Sequence, residues 1–291
     1  MIKNSISERA ISFGPGNRNV GIYTQSKKQA PNRPAVLLLN AGLIHHVGPN
    51  RIYVKLARRL AEEGIPAFRF DFSGIGDSCR RVGPFDARQY QIEETQWAMQ
   101  TLQKQHGINC FMLAGLCSGA DVALETAQMD DRVKELVLVN GFFLPRIADK
   151  SFYRKAQDRT YARLARFRLS DPLLMIKTIM QKLSMQKAWR FIRRVSKVER
   201  TAGSGSNCDK TSSNHALKDI PTLLLFSEGS TALDVYELLH KNLFKELADK
   251  GMLRQEVVKG ADHLFTPLWA QCRLIESIAS WIISCEENSL K

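Results

Sequence analysis

Short, continuous apolar runs alternate with helically periodic segments through most of this chain, and no other feature limits its fold as much. AVLLLN (35–40), PAFRFDF (66–72), NCFMLAG (109–115), VKELVLVNG (133–141), PTLLLFSEG (221–229) and RQEVVKGADH (254–263) read as strands. Runs without a polar alternate are expected where both faces of a sheet are covered, as in parallel sheets. Between them Ile52, Leu56 and Leu60 recur at helical spacing across 50–63, with Gly64 as the stop. Residues 86–105, 118–129, 234–250 and 267–283 also read as helices, the last with Leu268, Cys272, Ile275, Ile278 and Ile282 on related faces. Residues 9–24 read as two short strands about a Gly/Asn turn, followed by a loop at 25–34. The order predicts an α/β chain with a mostly parallel central sheet flanked by helices. Ligands in such folds bind beyond the carboxyl ends of the strands.

The alternation stops over residues 143–200, which are basic and helical in pattern, and a polar connector, TAGSGSNCDKTSSN, follows at 201–214. The expected organisation is therefore a core built from 1–142 and 216–291, with 143–215 inserted as a basic helical cap and connector. At 291 residues and 44% hydrophobic content, one core with one insertion is in proportion. The insertion holds 17 Lys/Arg against 5 Asp/Glu, so it carries nearly all of the formal +13. Such a block favours an acidic partner: an acyl carrier protein, coenzyme A phosphates or an anionic glycan. No recognition motif for nucleic acid accompanies the charge, so nucleic acid is not expected as a partner. No run reaches the length of a membrane span, and the start, MIKNSISERAISFG, has no signal-peptide pattern; the expectation is a cytoplasmic chain that is not an integral membrane protein. The six cysteines (79, 110, 117, 208, 272, 285) follow no compact spacing, form no CxxC pair and read as free thiols.

The sharpest local signal is Gly115-Leu116-Cys117-Ser118-Gly119, set between a strand and a helix. It has the form of a nucleophile elbow, G-x-Nuc-x-G, in which flanking glycines leave room for a sharp turn that lifts the reacting atom above the sheet. Cys117 holds the central position; were Ser118 the nucleophile, neither glycine would stand at the right offset. A cysteine acts as thiolate, formed through a lowered pKa or a neighbouring base. With chain order nucleophile, acid, histidine, the base falls on His263 of Gly260-Ala261-Asp262-His263, after the last strand. The acid is expected in Ser227-Glu228-Gly229-Ser230-Thr231-Ala232-Leu233-Asp234, from Asp234 or, nearly as well placed, Glu228. The position aligned to the usual Asp is Ser230. Oxyanion donors are expected from the Ser118 N–H and from the loop Asn40-Ala41-Gly42-Leu43, where Gly42 allows close approach and Leu43 N–H is the chosen donor. No metal site, dinucleotide fingerprint or Walker A sequence is present, and no cofactor is expected.

NAGLIHHVGPNR, RFDFSGIGDS, GLCSGAD and GADHLFTPLWAQ, in this order, resemble the α/β hydrolases found with exopolysaccharide and exosortase A systems in bacteria. The resemblance covers roughly residues 9–142 and 218–285. It implies an α/β-hydrolase fold with an inserted helical cap, Cys117 as nucleophile and His263 as base. Three functions follow as expectations: hydrolysis of an ester or thioester through a thioacyl-enzyme on Cys117, acyl transfer from a carrier or coenzyme A thioester to an alcohol or amine, and non-catalytic binding on the same fold.

Overall fold

A computed structural model describes residues 6–27, 33–81, 86–143, 158–160 and 218–289. The strands are β1 (Ile6–Phe13), β2 (Asn19–Ser26), β3 (Ala35–Leu39), β4 (Ala67–Phe70), β5 (Phe111–Leu116), β6 (Val133–Val139), β7 (Thr222–Ser227) and β8 (Leu253–Val258). They form one eight-stranded sheet in the order β1-β2-β4-β3-β5-β6-β7-β8. The β1–β2 and β2–β4 pairs are antiparallel; all later neighbours are parallel. This is the α/β-hydrolase fold that the resemblance implies, built on the mostly parallel sheet that the pattern predicts.

The two-sided burial behind the continuous apolar runs is explicit. Leu37, Leu39, Leu113, Leu136, Leu138, Leu224 and Phe226 enter one core cluster, whereas Val36, Leu38, Met112, Ala114, Val137, Val139, Leu223 and Leu225 enter another. Adjacent residues of one strand thus supply opposite faces. Helices α2 (Ala87–His106) and α3 (Ser118–Met129) cover the first face, and α1 (Ile52–Glu62) and the C-terminal helix the second. Gly107 ends α2 in the left-handed conformation, and the Asp86 carboxylate caps its start by accepting from the N–H groups of Arg88 and Gln89.

Two helix expectations need correction. Residues 234–250 are not one helix: α4 (Thr231–Val235) runs into a π-helical turn at Tyr236–His240, and α5 spans Lys245–Asp249. The wide turn keeps Tyr236, His240 and Phe244 all facing the core. The C-terminal helix, α6 (Leu268–Ser289), buries Ala270, Leu274, Ile275, Ile278, Ala279 and Ile282, while Leu268 and Cys272 face outward. The chain divides into two compact units, 1–157 with 217–291, and 158–216. The cap expected at 143–215 lies outside the described residues, apart from 143 and 158–160. Among the described residues no helix is long and apolar enough to cross a membrane.

Candidate active site

All parallel strands end at one edge, and residues just past their ends carry the polar groups: Asn40 after β3, Asp71 after β4, Cys117 after β5, Asn140 after β6, Ser230 beyond β7 and His263 beyond β8. Backbone strain gathers there too. Cys117, Asn140, Phe143 and Phe265 all have positive φ, between 48° and 58°, conformations that cost a residue with a side chain about 1–3 kcal/mol and collect at functional sites.

β5 ends at Leu116 and α3 starts at Ser118, so Cys117 alone makes the turn, at φ 58° and ψ −122°. The flanking glycines are sterically required. A Cβ on Gly115 would lie 2.2 Å from the Gly119 carbonyl, and one on Gly119 would lie 2.7 Å from the carbonyl oxygens of Leu39 and Asn40. The Cys117 N–H donates to the Val139 carbonyl at 2.8 Å. Behind the turn, the buried Tyr53 hydroxyl donates to the Leu39 carbonyl at 2.8 Å and accepts from the Leu116 N–H at 3.1 Å. Cys117 is half-buried. Burial pushes its thiol up to about 11; the Ser118 N–H pulls the other way, and the Asp121 carboxylate adds to the rise.

Ser118 is the first residue of α3, not the turn residue. Its Oγ accepts from the Gly42 N–H at 2.9 Å. Gly42, at φ 59°, has open space where a Cβ would stand. Leu43 occupies the tip of a turn closed by the Ile44 N–H on the Ala41 carbonyl at 3.1 Å, and is 83% exposed. The loop amide hydrogen-bonded to the elbow is therefore that of Gly42.

Asp71, fully buried, braces this loop. One carboxylate oxygen accepts from the His46 N–H at 2.6 Å and from Asn40 Nδ2 at 3.1 Å; the other meets His46 Nδ1 at 2.7 Å and accepts from the Asp77 N–H at 3.1 Å. Burial raises the Asp71 pKa, but these bonds prevail and hold it below the usual value. His46 is thus a structural residue. His46, Asp71 and Asp77 bring three potential ligand atoms within 4.8 Å of one another, yet both Asp71 oxygens are committed to the loop bonds.

His263 is held by its neighbours on β6 and β7. Asn140, fully buried, donates through Nδ2 to the His263 carbonyl at 2.9 Å and to Ser227 Oγ at 3.0 Å, and its Oδ1 accepts the Ser227 N–H at 2.9 Å. Cys117 and His263 are thus bonded to consecutive residues, Val139 and Asn140, at the end of β6. The Phe142 ring lies 6.0 Å from the His263 ring, centroid to centroid. Burial pushes the imidazole pKa down to about 4, against a smaller upward pull from the Asp262 carboxylate.

The partner on Nδ1 of His263 is the Ser230 hydroxyl, at 2.8 Å. Neither expected carboxylate takes this place. Glu228 accepts the Gly260 N–H at 2.8 Å, and Asp234 sits buried on α4, a turn further along. The physical reason is the tight pairing of the two loops. The Gly229 N–H bonds the Ala261 carbonyl at 2.9 Å, and a Cβ on Gly229 would stand 2.8 Å from that oxygen, so the next residue, Ser230, is delivered to the ring. Ser230 Oγ also caps α4 by accepting the Ala232 N–H at 3.1 Å. A carboxylate only accepts and would lock the proton on Nδ1; a hydroxyl can donate or accept and leaves the tautomer open.

Of the other histidines within the described residues, His45 is exposed beside His46, with ring centroids 5.6 Å apart, His106 stacks on Tyr23 at 4.2 Å, and His240 meets Phe143 edge-on at 6.1 Å. Among the described residues Cys79, Cys110, Cys117 and Cys272 are free thiols.

A family model described as serine aminopeptidase, S33, matches residues 31–264. No curated protein matches the sequence. Among solved structures, the hyperthermophilic esterase of Pyrobaculum calidifontis is similar at 18% identity and a TM-score of 0.59, with 97% of this chain and 86% of that chain covered. An α/β serine hydrolase homologue from Coxiella burnetii aligns at 16% identity and a TM-score of 0.56, covering 94% of this chain and 96% of that one. Proline iminopeptidase of Mycobacterium smegmatis aligns at 18% identity and 0.54, covering 96% and 100%.

Proposed function

The chain belongs to the serine aminopeptidase S33 family of α/β hydrolases, and from that premise we propose that it is an acyl hydrolase, acting on an ester or thioester, with Cys117 as nucleophile and His263 as general base. The observation that carries this reading is the strained turn at Cys117, φ 58° and ψ −122°, on the same sheet edge to which Asn140 ties the His263 loop. A side chain held at such cost in a packed elbow is explained by presenting an atom for reaction. Where the family is named for a serine, this chain has a thiol, and Ser118 is taken up in the helix start and the bond from Gly42.

In the proposed cycle the Cys117 sulfur attacks the carbonyl carbon as His263 takes the thiol proton on Nε2. Charge on the carbonyl oxygen is met by the N–H groups of Ser118 and Gly42, the latter released from Ser118 Oγ. The leaving group departs with the proton from His263. Water, deprotonated by His263, then frees the acid. With the thiol held near 11 and the imidazole near 4, moving the proton before attack costs on the order of 10 kcal/mol. The resting pair is therefore neutral, and proton transfer accompanies attack.

The test is intact mass after exposure to p-nitrophenyl esters and acyl thioesters. An acyl adduct on Cys117, with a product burst, is expected, and both should vanish in Cys117→Ala and fall steeply in His263→Ala. Turnover unchanged in Cys117→Ala would refute the assignment. Product diverted to an added acceptor alcohol would make the chain a transferase working through the same acyl-enzyme.

A further inference from the structure

We infer that this site takes acyl groups from thioesters, and not from amides or alkyl esters, because a hydroxyl, Ser230, stands where a carboxylate would support the protonated His263. This rests on Cys117 and His263 acting as proposed above.

A carboxylate on Nδ1 fixes the tautomer and stabilises the imidazolium; in the Ser-His-Asp template, replacing it with an amide lowers kcat by about 10⁴. Here Nδ1 meets Ser230 Oγ at 2.8 Å, and that oxygen also accepts the Ala232 N–H. Glu228 is turned to the Gly260 N–H, and Asp262 Oδ1 accepts the Thr266 N–H at 2.8 Å. The buried ring thus has a neutral partner on Nδ1, and a proton on it is held briefly. Cysteine enzymes that manage with a neutral partner on this nitrogen rely on a preformed thiolate–imidazolium pair. Burial of Cys117 and the nearby Asp121 carboxylate work against one.

The tetrahedral intermediate has two groups it can expel. With an alkyl ester or an amide, Cys117 is by far the better leaving group unless His263 first delivers its proton to the substrate oxygen or nitrogen. A short-lived imidazolium favours return to reactants. With a thioester the two groups are both sulfurs, and forward collapse needs no prior protonation. The step balances: the Cys117 S–H proton passes to His263 Nε2 while the Sγ–C bond forms, the C–S bond to the leaving thiol breaks with its electron pair on that sulfur, and His263 returns the proton to it. One thioester and one thiol become one thioester and one thiol, so acylation is close to thermoneutral. An oxygen ester or amide would have to climb to the thioester.

The experiment uses the full chain and three donors sharing a butyryl group: the N-acetylcysteamine thioester, the ethyl ester and an anilide. Acylation of Cys117 is followed by intact mass, and turnover by acid release. Expected is a thioester rate on the order of 10³-fold or more above the ethyl ester, and no adduct from the anilide. Ser230→Asp, which supplies the carboxylate, should narrow the thioester-to-ester gap by about tenfold or more and move the acidic limb of the pH–rate profile upward. Ethyl ester acylation of the natural chain within about tenfold of the thioester overturns the inference, whatever the variant does, since mutant ratios only apportion the effect. So does a Ser230→Asp variant, folded by circular dichroism, that speeds both donors equally. Absence of an adduct from all three donors would instead strike at Cys117 itself, and so at the proposed function.

Discussion

Alkylation of Cys117 by iodoacetamide gives the most direct reading of the site's electrostatics. The thiol is raised from an ordinary 9 to about 11, so at about pH 7 its thiolate fraction is roughly 100-fold below that of an unperturbed cysteine. The more basic thiolate is intrinsically more nucleophilic, by roughly eightfold over two units, which offsets part of the loss. The expected rate is therefore about tenfold below that of a free thiol, before any hindrance from burial. Cys79, Cys110 and Cys272, all exposed, serve as internal references in the same digest. The iodide of iodoacetamide leaves without a proton, so His263 gives no acid assistance and the pH dependence follows thiolate content. Peptide mass mapping across about pH 6 to 10 should give a logarithmic slope near one for Cys117, without a plateau. A rate for Cys117 that is flat below about pH 8, or the highest of the four at about pH 6, would show a resting thiolate–imidazolium pair. The neutral resting site, and the substrate inference built on it, would then be wrong.

Three further outcomes follow from the same structure. Gly115→Ala places a methyl 2.2 Å from the Gly119 carbonyl and should lower stability by about 3 kcal/mol, whereas Gly42→Ala, with open space around it, should cost only the roughly 1 kcal/mol of its left-handed backbone; urea unfolding of the two side by side is the check, and equal losses would contradict the elbow's packing. Asp71→Asn removes the charge that holds His46 and the 40–46 loop and should cost about 3 kcal/mol, with kcat falling more than KM changes, because Gly42 N–H loses its placement; steady-state kinetics on a reactive ester measures this. Stability should fall at both pH extremes: His263, depressed to about 4 from 6.5, contributes stability that is present above 6.5 and lost as pH falls towards 4, and Cys117, raised to about 11, contributes stability lost as pH rises from about 9 through 11. Each loss is on the order of 3 kcal/mol, and thermal melting of the natural chain against His263→Asn and Cys117→Ala should show the acid and alkaline limbs flattening separately.

Much of the fold was written in local pattern. Two-sided burial forces apolar residues at every strand position, and Val36 to Leu39 show this directly, alternating between the two core clusters. What local pattern could not carry was anything decided by packing at a distance. Periodicity across 234–250 fitted one helix, but aromatic packing against β7 draws Tyr236, His240 and Phe244 inward through a wider turn. On α6, Leu268 and Cys272 matched the apolar face by spacing, yet they lie on its exposed side.

The site divides along the same line. The proposed nucleophile, base and oxyanion loop each sit within a few residues of a strand end, so strand assignment alone locates Cys117, His263 and the 40–43 loop, but not which amide of that loop meets the elbow. The third member depends on how two loops zip together, and a search for a carboxylate by chemistry passes over a serine. Gly229 was the signal available. A glycine next to the position aligned to the usual acid makes sense if its neighbour must approach the histidine loop closely, and its amide does reach the Ala261 carbonyl at 2.9 Å. With Ser230 on the ring and Cys117 on the turn, two departures from a serine–histidine–carboxylate site act in one direction in the proposed mechanism. A carboxylate helps most when the imidazolium must persist long enough to protonate a poor leaving group, and a sulfur nucleophile suits a donor that already carries a sulfur. Either change alone would weaken an esterase or a peptidase. Together, in the proposed mechanism, they leave a strained elbow suited to acyl groups that arrive activated.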